Sequence, residues 1–190
     1  MIPPPWRGMI RAMPSHQEFL SLADAALLAQ CDVHVYKSSG PGGQHRNKVC
    51  SAVRLKHRPT GLGAHGDDTR SQHENKRLAL GRLRMKIACQ CRQGVNPQDM
   101  QVPDVVVQCV HGSLDSLQGR RLQIGRKDQR FWQVVAFLLD LLEARQGRLA
   151  EAAACLGIGT TNMVRIFQSQ PHALAAAQVV RKRHGLKPIL

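Results

Sequence analysis

The sequence predicts an α+β protein: a small mixed sheet with one packed helix over residues 15–92, a linker at 93–104, and a mainly helical basic module over 105–190. Three observations carry this reading. Strand-like alternation around Val33 and Val35 and again over 51–58 is followed by a helical period over 71–90. The tract from Gly94 to Pro103 is polar and holds two prolines, which break regular structure. Beyond it, Phe131 to Leu142 is strongly apolar with helical spacing, the expected centre of a second core.

Each element follows from local chemistry. Ser21 to Gln30 reads as a short helical stretch, and the strand through Val33 and Val35 is broken by Gly40-Pro41-Gly42-Gly43. Over 51–58, Val53 and Leu55 fall on one face and Arg54, Lys56 and Arg58 on the other, so one side is buried and a basic row faces water. Pro59-Thr60-Gly61 signals a turn, after which Leu62 to His65 returns as a partner strand. Ser71-Gln72-His73-Glu74 is a capping box, and Leu80, Leu83 and Ile87 recur at helical spacing behind it. That helix is expected to carry Lys76, Arg77, Arg84 and Lys86 outward. Val105 to Val110 reads as a strand, and Leu149 to Leu156, Thr160 to Ser169 and Pro171 to His184 as three helices.

Charge narrows the function classes. The chain has 190 residues, with 27 Lys/Arg against 13 Asp/Glu and a net charge of +14. Residues 31–91 and 120–190 each carry twelve basic against four acidic residues, so two separate surfaces should face a polyanion. Aromatic residues are only 4%, too few for broad base-stacking platforms. No apolar run reaches the roughly eighteen residues that span a bilayer, and Met1 to Met13 lacks the apolar core of a signal peptide. A cytoplasmic, nucleic-acid-facing protein without a membrane partner is expected.

Several motifs carry less than they suggest. The six cysteines, Cys31, Cys50, Cys89, Cys91, Cys109 and Cys155, include no Cys-x-x-Cys pair, and residues two apart on a helix do not share a face. They read as scattered buried thiols, with no metal, cofactor or disulfide framework expected. Residues 61–66 match Gly-x-Gly-x-x-Gly, but Asp67 and Asp68 stand where a pyrophosphate would sit and the expected downstream ribose-binding acid is absent. A glycine-rich hairpin fits better. His65 and Asp67 read as solvated loop residues.

The informative segment is Lys37 to Lys48, which contains Gly42-Gly43-Gln44. It reads either as a flexible basic loop or as a tip whose adjacent glycines bring a main-chain N–H against a ligand. Gln44 has no titratable group, so such a tip could act only by positioning water and by donating a backbone hydrogen bond to a developing oxyanion. Arg46 and Lys48 would hold phosphates.

Three ordered blocks, SSGPGGQHRNK at 38–48, SAVRLKHRPTG at 51–61 and RSQHENKRLAL at 70–80, resemble the catalytic domain of class I peptide chain release factors. The resemblance covers residues 31–91, about a third of the chain. It implies that Gly42, Gly43 and Gln44 enter the peptidyl transferase centre and hydrolyse the ester of peptidyl-tRNA. It also implies a glutamine methyltransferase as partner, with Gln44 as the methylated residue. Arg46 departs from the valine that bacterial members often carry. Only about thirty residues precede the loop, and no codon-reading tripeptide stands in a recognisable context. Hydrolysis without codon specificity is therefore expected, in termination or in the rescue of stalled ribosomes. Large-subunit RNA would be gripped by His45, Arg46, Lys48, Arg54, Lys56, Arg58, Arg70, Lys76, Arg77 and Arg84. The far end would be tethered by Arg181, Lys182, Arg183 and Lys187.

A second class of reading comes from residues 152–165. Ala152, Leu156-Gly157 and Thr160 onward look like a helix-turn-helix, with glycine at the turn and a threonine cap on the second helix. The chain is then a non-catalytic ribosome- or DNA-binding protein, or the same surface docks RNA beside a catalytic domain. A plain helical hairpin packed under Leu138 and Leu142 is the third alternative.

Overall fold

The computed structural model describes residues 15–37, 50–92, 101–112 and 120–189. Two short helices open it, α1 (His16–Ser21) and α2 (Asp24–Ala29), where one stretch over 21–30 was expected. Leu22 and Ala23 are extended between them, and the Ser15 hydroxyl caps α1 by accepting from the Glu18 N–H.

Three strands follow: β1 (Cys31–Tyr36), β2 (Ala52–His57) and β3 (Gly63–Gly66), in the order β1-β2-β3. The sheet is antiparallel throughout, not mixed, with Tyr36 opposite Ala52 and Val53 opposite Gly66. Its β2–β3 connection is too short for a parallel crossover. Gly61, at φ +70°, makes this turn.

The long helix α3 (Gln72–Gln90) lies across β2 and β3, as the 71–90 reading anticipated. Val53 and Leu55 of β2 are buried together with Ala79, Leu80, Leu83 and Ile87 of the helix, while Arg54 and Lys56 are exposed. Val33 and Val35 stand opposite Leu55 and Val53 on that same face, yet they are 41% and 42% exposed. Strand β1 is an edge beyond the helix's cover, so the alternation there marks a strand but not a buried face.

The chain continues through α4 (Asp104–Val107), β4 (Val110–His111), β5 (Arg121–Leu122) and α5 (Phe131–Ala144). It ends in α6 (Leu149–Cys155), α7 (Thr160–Gln168) and α8 (Pro171–Arg183). The last four match expectation closely. The strand expected over Val105–Val110 is instead helical at 104–107, and only Val110 and His111 pair. Pro103 accepts from the Val106 and Val107 N–H groups, and that local turn overrides the β preference of three valines. Most of the expected linker, residues 93–100, lies outside the described residues.

Helix α5 is apolar around most of its circumference and is buried accordingly. Ala136 of α5 belongs to the core under the three-stranded sheet, whereas Leu138 and Leu142 belong to the helical core with Ala152, Ala153, Ala173 and Ala177. Trp132 packs against both. Asp140, also buried, has Oδ1 2.9 Å from Arg92 Nη1 and Oδ2 2.8 Å from His16 Nε2. One carboxylate thus meets α1 and the end of α3.

Not every thiol is buried as expected. Cys31 and Cys109 are, but Cys50 and Cys155 are exposed. Desolvation pushes the Cys89 thiol up to about 11, where it is protonated and a poor nucleophile at neutral pH. Among the described residues no helix is long and apolar enough to cross a membrane.

Candidate functional site

Residues 38–49 connect β1 to β2 at the end of the sheet marked by the Tyr36–Ala52 pair. Gly42, Gly43, Gln44, His45, Arg46 and Lys48 fall in this connection and lie outside the described residues. Its return end is held by Asn75, fully buried in the first turns of α3. The Asn75 Nδ2 donates to the Ser51 carbonyl at 2.8 Å and to the Thr69 carbonyl at 2.7 Å. Its Oδ1 accepts from the Thr69 N–H at 2.9 Å and the Thr69 hydroxyl at 3.1 Å. One side chain therefore joins the start of β2, the segment after β3 and α3. Sequence reasoning did not single out Asn75, although it stands inside the third matching block; only a fully satisfied burial reveals its role.

The helix start beside it departs from the full capping box. The Ser71 hydroxyl accepts from the Glu74 N–H at 3.3 Å, but the Glu74 carboxylate takes Arg77 in a two-pronged pair at 2.6 and 3.1 Å. The Ser71 N–H donates instead to the Thr69 hydroxyl. Arg77 holds the Glu74 carboxyl below its usual range.

The outer sheet face carries the basic row. Arg54 stands opposite His34 and His65, and its guanidinium lies 5.2 Å from the centre of the Tyr36 ring. His34, Tyr36, Arg54 and Lys56 share a shallow depression on this side. His65 is therefore an exposed strand residue on β3, where a solvated loop position was expected. No helix opens on Gly66; the Gly-x-Gly-x-x-Gly segment is the hairpin and its returning strand.

The remaining cations divide by what they touch. Arg54, Lys56, Arg70, Lys182 and Lys187 are exposed and Lys76 is half-buried. None of these six has an ion pair among the described residues. Four others are turned to structural work, among them Lys86, which was expected outward but is half-buried and donates to the Gly63 carbonyl. Arg58 pairs with Asp32 at 3.0 Å and donates to the Ala29 carbonyl at the end of α2. Arg84 was expected on the outer face of its helix, yet its guanidinium donates to the Leu20 and Leu22 carbonyls and to Asp24. Arg181 donates to the Gly147 and Lys187 carbonyls and folds the last residues back, with Ile189 in the helical core. Arg183 stands 3.8 Å from Glu143.

In the helical module Gly157, at φ +65°, turns the chain between α6 and α7. The N-cap of α7 is Gly159, not the expected Thr160.

A family model described as the RF-1 domain matches residues 28–127. The chain belongs to that family. Peptide chain release factor 1 of Leptothrix cholodnii is 49% identical over 65 residues, 34% of this chain and 18% of that protein. Peptide chain release factor 2 of Buchnera aphidicola is 49% identical over 55 residues, 29% and 15% of the two. Peptide chain release factor 1 of Paracidovorax citrulli is 45% identical over 74 residues, 39% and 19%. The RF-1 domain chain thus spans less than a fifth of the length of these relatives in its match. The class I release factor resemblance read from residues 31–91 is supported, and the family match runs further, to residue 127.

Proposed function

We propose that this RF-1 domain protein hydrolyses the ester of peptidyl-tRNA in the large ribosomal subunit, without requiring a stop codon. One observation carries the reading: Gly42-Gly43-Gln44 stands within the family match, on a connection whose stems are paired at Tyr36–Ala52 and whose return is held through Asn75. Water attacks the ester carbonyl carbon, the Gln44 N–H donates to the developing oxyanion, and the tRNA 3′-hydroxyl leaves. The Gln44 side chain limits the space to water-sized nucleophiles, and it is the residue a glutamine methyltransferase would modify. Arg54, Lys56, Arg70 and Lys76 supply contacts to RNA phosphates beside the loop, with His45, Arg46 and Lys48 on it. We assign the chemistry to residues 15–92 and docking to 105–190, in the cytoplasm.

Ribosomes carrying labelled peptidyl-tRNA, programmed with a stop codon, a sense codon or an mRNA truncated at the P site, test this. Release comparable on all three, or best on the truncated complex, is expected. Gly43→Ala should abolish release while cosedimentation with ribosomes persists, because it adds a methyl group where the backbone approaches the ester. Release that survives Gly43→Ala would remove the loop from the chemistry. Strict stop-codon dependence would require a decoding role for this chain.

A further inference from the structure

The basic segment from Arg120 to Arg130 is not absorbed by the catalytic reading, and its start lies against the turn between α6 and α7 and the first turn of α7. Its strand β5 is fastened to α7 through Asn162, whose Oδ1 accepts from the Leu122 N–H at 2.7 Å and whose Nδ2 donates to the Leu122 carbonyl at 3.0 Å. Arg120 bridges to Ile158, and its side chain passes over Gly157 at the turn. Leu122 points into the core, which leaves the neighbouring Arg121 exposed. Arg126 and Lys127 follow, also exposed. The one acid in this segment, Asp128, is held in a two-pronged pair by Arg130, and Glu151 of α6 is paired with Arg148. On α7 itself, Thr161 and Arg165 are exposed one turn apart, and Arg165 stands three residues beyond Asn162 on the same stripe.

We propose that β5, the turn after it and α7 form a single surface for duplex RNA. Charge sets the class of ligand: Arg121, Arg126 and Lys127 of one short segment and Arg165 are exposed, with the nearby carboxylates already occupied. Shape selects RNA over DNA. A helix-turn-helix reads DNA by inserting the N-terminal residues of its second helix into an open major groove. Here the third residue of α7 is clamped to a strand that crosses that end of the helix. What remains is a shallow face bearing arginines and a threonine hydroxyl. The wide, shallow minor groove of A-form RNA, lined by 2′-hydroxyls and flanked by phosphates, accepts such a face, and its narrow major groove does not need to be entered. The strand belongs to the family-matched residues and α7 does not, so the surface joins the RF-1 domain to the module that follows it.

The test uses the full chain and three probes of one sequence: an RNA duplex of about sixteen base pairs, the corresponding DNA duplex, and the single RNA strand. Arg121→Ala combined with Arg165→Ala, both exposed positions, should weaken RNA-duplex binding at least tenfold. The slope of log affinity against log salt should fall by about 2, one for each lost phosphate contact. Arg121→Lys combined with Arg165→Lys should retain most of the parent affinity. Equal or tighter binding to the DNA duplex would overturn the proposal. So would an equal loss on the single strand, which would mark generic attraction to a polyanion. This outcome is separate from peptide release: a chain that binds the duplex but releases no peptide overturns only the catalytic reading.

Discussion

Gly66 brings β3 against the first turns of α3 so closely that a Cβ there would lie 2.1 Å from the Asn75 carbonyl oxygen. The clash is with backbone, so no side-chain rotation can relieve it. Gly66→Ala should destabilise the protein by about 2 kcal/mol or more, read as a lower midpoint in urea with an unchanged slope. A midpoint within the error of the parent would show that α3 does not rest on this glycine. The sequence marked Gly66 as part of a hairpin, which is a local property; the helix pressed on it comes from residues further along and leaves no local trace. The same limit explains the arginines. Arg58, Arg84 and Arg181 carry the sign that binds RNA, and sequence reveals sign. Whether a guanidinium meets phosphate or caps its own chain's carbonyls depends on which helix ends lie within its reach. For Arg84 those are the Leu20 and Leu22 carbonyls, over sixty residues away.

At the scale of elements, periodicity was enough where burial is one-sided or complete. The strand β2 and the helices α3, α5, α6, α7 and α8 were all legible, since their apolar positions repeat at the spacing of the structure they form. The valines at 105–107 misled because β-branched residues state a preference, and Pro103 supplies a competing turn that the preference cannot resist. The start of α3 was legible as a cap at Ser71, but the brace four residues on was not. The Asn75 side chain makes all four of its hydrogen bonds to Ser51 and Thr69, so its loss leaves the Ser51 and Thr69 carbonyls and the Thr69 amide and hydroxyl to find other partners. On the proposed reading, Asn75→Ala should therefore lower the saturated rate of peptide release at least tenfold and leave the concentration for half-maximal release within about threefold, because the proposed attack would depend on placement within an ångström. A stability measurement must accompany it, and assays should run well below the variant's melting temperature. If the saturated rate holds, the loop is positioned by the β1–β2 ladder alone.

In the whole molecule two cores are present, one under the sheet and one among the later helices. They are not independent bodies in their contacts. Ala136 and Trp132 of α5 reach the sheet-side core, and Asp140 on the same helix sits 2.9 Å from Arg92 and 2.8 Å from His16. Arg92 also donates to the Ala136 and Ala88 carbonyls, so the end of α3 is fastened into α5. Burial lowers the basicity of Arg92, and the Asp140 carboxylate opposes that loss. Asp140→Asn preserves the shape and removes that charge, leaving a mostly buried guanidinium with only its carbonyl acceptors. The expected cost is about 3 kcal/mol or more, and it should fall on both cores together. Hydrogen exchange measures this directly: amides in β2 and in α5 should lose protection by the same free energy, since one opening exposes both. Accelerated exchange in α5 with β2 unchanged would mean that the sheet and its helix fold without the module. The proposed docking by α7 and the proposed catalysis at the loop would then be joined only by the chain between them.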